Sequence, residues 1–229
     1  MKKFKKLPVI KYEKTYPEFY DLKPIKSTIP QWYKDAPKWI EEQTVWNRSG
    51  LKQCVPFLDA LTTGYMIPLP VDVYVENTED GFKYFSWANS DYTIIHHREN
   101  VDSFPPILPG FSEMRVVWII PMSIEIPKGY SALFTHPFNR FDLPFVTLSG
   151  VVDEFKMYNG GIPFLIKEDF EGVIPAGTPI AQIIPFKTES WKSEVKEGLN
   201  KEAEVVKKRS RNSLTNLYKT QFWKRKTYE

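Results

Sequence analysis

Short apolar runs punctuated by Gly and Pro fill residues 126–186. Ile126-Pro127-Lys128-Gly129-Tyr130 leads into Ser131-Ala132-Leu133-Phe134-Thr135, and Thr147-Leu148-Ser149-Gly150-Val151-Val152-Asp153 follows. Ile174-Pro175-Ala176-Gly177-Thr178-Pro179-Ile180-Ala181-Gln182-Ile183-Ile184-Pro185 closes the stretch. Runs this short, bounded by turn residues, predict β-strands joined by tight turns. Upstream, Val71-Asp72-Val73-Tyr74-Val75-Glu76 alternates at period two, as a half-buried strand does. Asn77-Thr78-Glu79-Asp80-Gly81 then supplies a hairpin turn, with Gly free to take positive φ. Further strands are predicted at 51–60, 64–69, 82–88, 91–97 and 114–122.

The two ends follow other patterns. Residues 1–28 lack a period; Pro8, Pro17 and Pro24 recur among Lys and Tyr, which predicts an extended arm. Its aromatics Phe4, Tyr12, Tyr16, Phe19 and Tyr20 need cover, so the arm is expected to dock on its own body or on a neighbour. Pro30 and Pro37 can each start a short helical turn, with Trp32, Trp39 and Ile40 packed inward and Trp46 nearby. Residues 189–208 lack proline, and Leu199, Ala203 and Val206 share one face of a helix. After that, Leu214, Leu217, Tyr218 and Phe222 also share a helical face among basic residues. Aromatics interleaved with bases could equally stack nucleobases and track phosphates. The expected organisation is an arm with short helices over 1–50, a β domain over 51–187 and a basic helical extension over 188–229.

Charge sharpens this division. The total is +3, but residues 1–14 carry six Lys and one Glu, and residues 192–229 carry eleven Lys or Arg and five Glu. Subtracting +5 and +6 from +3 leaves −8 for the middle, an acidic body with two basic ends. Such ends suit an acidic partner, nucleic acid or the acidic body itself. The single cysteine, Cys54, lies in the apolar run Val55-Pro56-Phe57-Leu58 and is expected to be a buried small hydrophobe. One thiol cannot form an internal disulfide, which points to a reducing compartment, a host cytoplasm or a virion. Leu7-Pro8-Val9-Ile10 is too short for the apolar core of a signal peptide, and no run approaches the roughly 20 residues that span a bilayer. No membrane contact is expected.

The order of motifs resembles the trimeric dUTPase and dCTP-deaminase superfamily over residues 64–185. Ile126-Pro127-Lys128-Gly129-Tyr130 is similar to that family's Ile-Pro-Pro-Gly-Tyr turn, and Gly150-Val151-Val152-Asp153 to its Gly-Val-Ile-Asp turn. Gly177-Thr178-Pro179-Ile180-Ala181-Gln182 resembles the late Gly-Asp-Arg-Ile-Ala-Gln strand, and Gly64-Tyr65-Met66 the early Gly-Tyr-Asp motif. The resemblance implies a mainly β fold with a distorted dUTPase-like barrel or jelly-roll-like core. It implies a trimer with sites at subunit boundaries and Mg²⁺ on a bound triphosphate. Asp153 stands at the water-orienting position and Gln182 at the phosphate-contacting one; Tyr130 and Arg140 are further candidate nucleotide contacts.

The sequence departs from that pattern where phosphate is held. His136-Pro137-Phe138-Asn139-Arg140 replaces Arg-Ser-Gly, and proline removes a backbone donor that a phosphate cradle uses. The early Asp is Met66, and Lys, Arg and aromatics replace the Gly-rich C-terminal arm. Phe57-Leu58-Asp59-Ala60 with Gly64-Tyr65, the Pro-rich arm and residues 150–182 also resemble an uncharacterised family of bacterial and tailed-phage proteins. Two functions follow as expectations. One is a non-enzymatic β protein of phage origin, oligomeric, acting in assembly or protein interaction through its basic ends, with no cofactor. The other is a divergent nucleotide-binding protein or hydrolase using Asp153 and Gln182, with Mg²⁺.

Other chemistry finds little footing. His96 and His97 are adjacent, so on a strand they face opposite sides and cannot share one ion without a bulge. His97 with Glu99 is the one pairing that shares a face, and no metal site is expected. Asp142, Glu154 and Asp169 are carboxylates that suit turns as well as chemistry. No P-loop, GxGxxG or Gly-x-Ser-x-Gly motif occurs.

Overall fold

The alternating runs do form strands, and their inward positions build one apolar core. A computed structural model describes residues 8–40, 48–98, 106, 108–154, 156–157, 160–211 and 217–229. Phe4, Trp46, Glu99, Leu214 and the Lys-rich residues 1–6 lie outside the described residues.

In chain order the strands are β1 (Lys11–Lys14), β2 (Lys23–Pro24), β3 (Trp39–Ile40), β4 (Arg48–Ser49), β5 (Tyr65–Pro68), β6 (Val73–Asn77), β7 (Lys83–Ser86) and β8 (Ile95–His97). They continue as β9 (Val116–Ile119), β10 (Met122–Glu125), β11 (Tyr130–Thr135), β12 (Phe145–Thr147), β13 (Gly150–Val152), β14 (Lys156–Met157), β15 (Gly161–Ile166), β16 (Gly172–Ile174) and β17 (Pro179–Lys187). Helices are α1 (Gln31–Asp35), α2 (Val55–Thr62) and α3 (Leu199–Arg211). The protein is mainly β, as its sequence predicts. Its strands pair in separate sheets, and no closed barrel is traced among the described residues.

The chain divides into two units. The first comprises residues 1–28 and 64–188. Its central sheet has the order β13-β11-β17-β5-β2, beside a four-stranded sheet β12-β15-β9-β8. Trp118 of β9 is fully buried, stacked on Phe164 with ring centroids 3.8 Å apart, and Phe145 meets it edge-on. Two three-stranded sheets, β1-β10-β14 and β16-β6-β7, complete the unit. The N-terminal arm docks on this unit's own body. β1 pairs antiparallel with β10, and Tyr16 and Phe19 pack against Tyr92. Residues 114–122, predicted as one strand, divide into β9 and the start of β10 around Ile120-Pro121, where Pro cannot donate to a ladder.

The second unit comprises residues 29–63 and 189–229. Residues 55–62 are helical, not the strand predicted there. Pro56 sits in the first helical turn, where its missing N–H costs nothing, and Leu58, Ala60 and Leu61 are good helix formers. Cys54 directly precedes this helix and is exposed, contrary to the expectation of burial. Trp32 and Trp39 also face outward, 36% and 51% exposed, where inward packing is predicted. Tyr33 takes the inward place on α1, stacked on Phe57 at 5.9 Å, while Trp32 meets the same Phe57 ring edge-on at 6.2 Å from the solvent side. Residues 189–196 are not helical; helix begins only after Gly198, at Leu199. Further on, Asp59 accepts hydrogen bonds from Trp223 Nε1 at 3.0 and 3.1 Å and from Lys226 Nζ at 2.5 Å, which pins the C-terminal segment to α2.

Candidate functional site

The central strand β11 places the sequence-predicted residues in two groups, one at each end. At its start, Ser131 pairs with Phe186 across β17 and Ala132 with Val152 across β13. Asp153, the residue after β13, therefore arrives beside Ser131. Ser131 Oγ donates to Asp153 Oδ1 at 2.7 Å and lies 2.6 Å from Thr188 Oγ1. Serine has one hydroxyl hydrogen, which goes to the carboxylate, so Thr188 must be the donor to Ser131. The result is a directed relay, Thr188 to Ser131 to Asp153, with Asp153 on the exposed surface. Nearby, Glu154 Oε2 accepts from the Gly129 N–H at 3.3 Å. Tyr130 precedes Ser131 on the strand, so its side chain takes the opposite face, where it packs against the apolar core.

The other end of β11 runs into His136-Pro137-Phe138-Asn139-Arg140. Pro137 cannot continue a ladder, and Asn139 takes φ 60°, a left-handed conformation that Asn tolerates better than most residues. Arg140 N–H closes the turn onto Pro137 O at 3.1 Å. The N–H of Phe138, a half-buried residue, is left over by the turn and needs a partner. Gln182, fully buried on β17 opposite Thr135, supplies it: its Oε1 accepts from Phe138 N at 2.8 Å. Arg140 is likewise engaged. Its Nε donates to Asp142 at 2.9 and 3.2 Å, one Nη donates to the same carboxylate at 2.9 Å, and the other Nη to Thr28 O at 3.2 Å.

Sequence reasoning missed the partner that completes this end, His136. The residue is 9% exposed. Nδ1 faces the Thr147 N–H at 3.3 Å and must accept; Nε2 faces Arg140 O at 3.1 Å and must donate. The neutral Nε2–H tautomer is thereby fixed. Thr147 Oγ1 in turn donates to Ile180 O at 2.5 Å, capping the carbonyl of the residue bulged out of the β17–β5 register. The sequence signal was parity: His136 and Thr147 each continue the inward positions of an apolar strand.

Burial pushes the His136 ring below the ordinary histidine range; its bond to the Arg140 carbonyl opposes this, the Arg140 charge adds to it, and Asp142 opposes it. The unfolded chain takes up this proton near pH 6.5 and the folded chain only at lower pH, so the folded state binds fewer protons in between. Stability is then fully present above about pH 6.5 and falls as the pH drops, with a slope of up to about 1.4 kcal/mol per pH unit. Melting temperatures from pH 7.5 to 5 are expected to decline less steeply in His136→Asn, which has no proton to gain. Equal slopes in the two proteins would refute the assignment.

Gln182 and Asp153 thus lie toward opposite ends of β11. Ser131 and Thr135, which they contact or pair with, are roughly 13 Å apart along the strand. Within one copy the four predicted residues do not converge on one point. Among the described residues no group of three or more His, Cys, Asp or Glu is placed to hold a metal ion, and no helix is long and apolar enough to cross a membrane.

No family model and no curated protein sequence matches the chain. Among solved structures, it is similar to a dUTPase from phage phi11 of S. aureus at 14% identity and a TM-score of 0.37, covering 84% of this chain and 99% of that one. It is similar to a Staphylococcus bacteriophage 80alpha dUTPase at 12% identity and a TM-score of 0.36, covering 82% and 96%. Another structure of the 80alpha enzyme, with dUpNHpp, matches at 14% identity and a TM-score of 0.37, covering 82% and 88%. Overlap of this order carries no residue role to this chain.

Proposed function

We propose that the chain is a non-enzymatic protein of phage type that acts in assembly or protein interaction, as a homo-oligomer whose expected form is the trimer. The observation that carries this reading is the engagement of Gln182 and Arg140. The two side chains that would grip a phosphate already serve the turn at residues 136–142, one fully buried and the other bidentate on Asp142. Freeing Gln182 would break its bond to the part-buried Phe138 N–H, at about 1 kcal/mol. The basic ends are the natural contacts with a protein partner.

A second reading has its own observation. Asp153 is exposed and held in place by the Thr188–Ser131 relay, as a carboxylate that orients water should be. On this reading the chain binds or hydrolyses a nucleotide carrying Mg²⁺. A thermal-shift panel of dUTP, dCTP, dTTP and ATP with Mg²⁺ separates the two. The interaction reading expects no movement. A nucleotide at one hundred times its dissociation constant would stabilise the fold by about 2.7 kcal/mol, which is several degrees for a chain this long. A saturable shift of that size would favour the second reading and sink the first.

A further inference from the structure

The outer face of the β16-β6-β7 sheet is aromatic and acidic and has no cover among the residues of its own unit that are described. Val173 pairs with Tyr74 and Tyr74 with Ser86; in the next outward row Glu76 pairs with Tyr84, and the register carries Glu171 opposite Glu76. Tyr74, Tyr84 and Val173 are 45%, 57% and 44% exposed, and Phe82 on the same side is 57% exposed. Phe82 is held there by a tight turn, its N–H bonded to Thr78 Oγ1 at 3.0 Å and its carbonyl accepting from Thr78 N at 2.9 Å. Glu76 makes no ion pair among the described residues, while Glu171, just before β16, accepts from Asn77 Nδ2 at 3.0 Å and keeps its negative charge at the edge of this face. Glu79, Asp80 and Asp169 add negative charge at the rim.

Helix α3 has the complementary character. Leu199, Ala203 and Val206 form an apolar stripe, yet Leu199 and Val206 are 52% and 40% exposed. At 100° per residue, Lys207 and Arg209 fall on either side of that stripe. Thirteen residues make a helix about 20 Å long and 10 Å wide. Three strands of up to five residues present a face about 17 Å by 10 Å, which accommodates it.

We propose that α3 of one copy docks on the β16-β6-β7 face of another. The apolar stripe covers Tyr74, Tyr84 and Val173, while Lys207 and Arg209 neutralise Glu76 and Glu171 and approach the tyrosine rings as cations. This rests on the interaction reading above and names its surface. Each copy offers one face and one helix, so the contact closes reciprocally in a dimer or head to tail in a ring.

The test uses the full chain, with native mass followed by sedimentation against concentration and salt. Association should weaken from 50 to 500 mM NaCl, because exposed ion pairs are screened. Glu76→Lys with Glu171→Lys, and separately Lys207→Glu with Arg209→Glu, should each weaken it by about ten-fold or more. The chain carrying all four changes should recover association, and circular dichroism establishes that each variant is folded. Cross-links in a mixture of isotope-labelled and unlabelled chains should join α3 to the β6–β7 hairpin between copies. A monomer at all concentrations, or cross-links only within one copy, overturns the proposal. Association that ignores both charge reversals also overturns it while leaving the interaction reading intact. That reading fails separately, by the nucleotide panel.

Discussion

Gly64→Ala is expected to destabilise the protein by about 3–4 kcal/mol, a fall in melting temperature of about 10 °C for a chain of this size. Gly64 sits at the entry to β5 with φ +84°, a conformation that costs other L-residues about 1–2 kcal/mol. A methyl group there would lie 2.0 Å from the carbonyl oxygen of Ile183 and 3.0 Å from its carbon. Those atoms belong to the backbone of β17, whose Ile183 pairs with Tyr65 in the ladder that begins at this point. No side-chain rotation relieves the overlap; β5 would have to part from β17. The Gly64 carbonyl also accepts from Ile25 N at 3.1 Å, so displacement spreads toward β2. Gly81→Ala is the matched control. Gly81 has φ +79° but nothing within 4 Å of the added methyl, so it should lose only about 1 kcal/mol. Denaturant titration of the two variants checks this, and equal losses would show that the close approach to Ile183 does not matter.

The strands that carry this ladder were legible because their two faces differ. β6 and β7 alternate cleanly, and the Asn77–Gly81 turn between them is written in turn residues. β5 and β17 are bounded by Gly and Pro. Residues 55–62 were not legible as a helix, because a short apolar run has no period that separates helix from strand, and Pro56 serves either reading. At the candidate site, a glutamine inside the apolar run 179–185 marks a buried polar partner. What the sequence could not supply is that the partner is a backbone N–H 44 positions away, at Phe138. The engagement of Arg140 with Asp142 is local, and spacing alone could have suggested it. Its bond to Thr28, across 112 positions, is a product of the tertiary fold.

Lys83 is the clearest case of a signal present in the sequence and passed over, and it carries the second large prediction. In Phe82-Lys83-Tyr84-Phe85, strand parity puts Lys83 on the inward side with Phe85, where a charge must find partners or leave. The structure buries it to 3% exposure. Its ammonium donates to Glu168 O at 2.5 Å, to Phe170 O at 2.8 Å and to Asn77 Oδ1, satisfying all three donors. It thereby ties the β6–β7 hairpin to the turn before β16. Lys83→Met keeps most of the stem but leaves these acceptors facing an apolar group. Leaving these neutral carbonyl and amide acceptors without their donor costs about 1–3 kcal/mol each where water cannot replace it. Melting temperature should fall by about 10 °C, and the β16-β6-β7 face should lose amide protection in hydrogen exchange before the core does. The bonded atoms at 168 and 170 are backbone carbonyls, so Glu168→Gln should change stability by less than about 1 kcal/mol, as an exposed charge does. If Lys83→Met proves as mild as Glu168→Gln, the ammonium is not what joins the hairpin to β16.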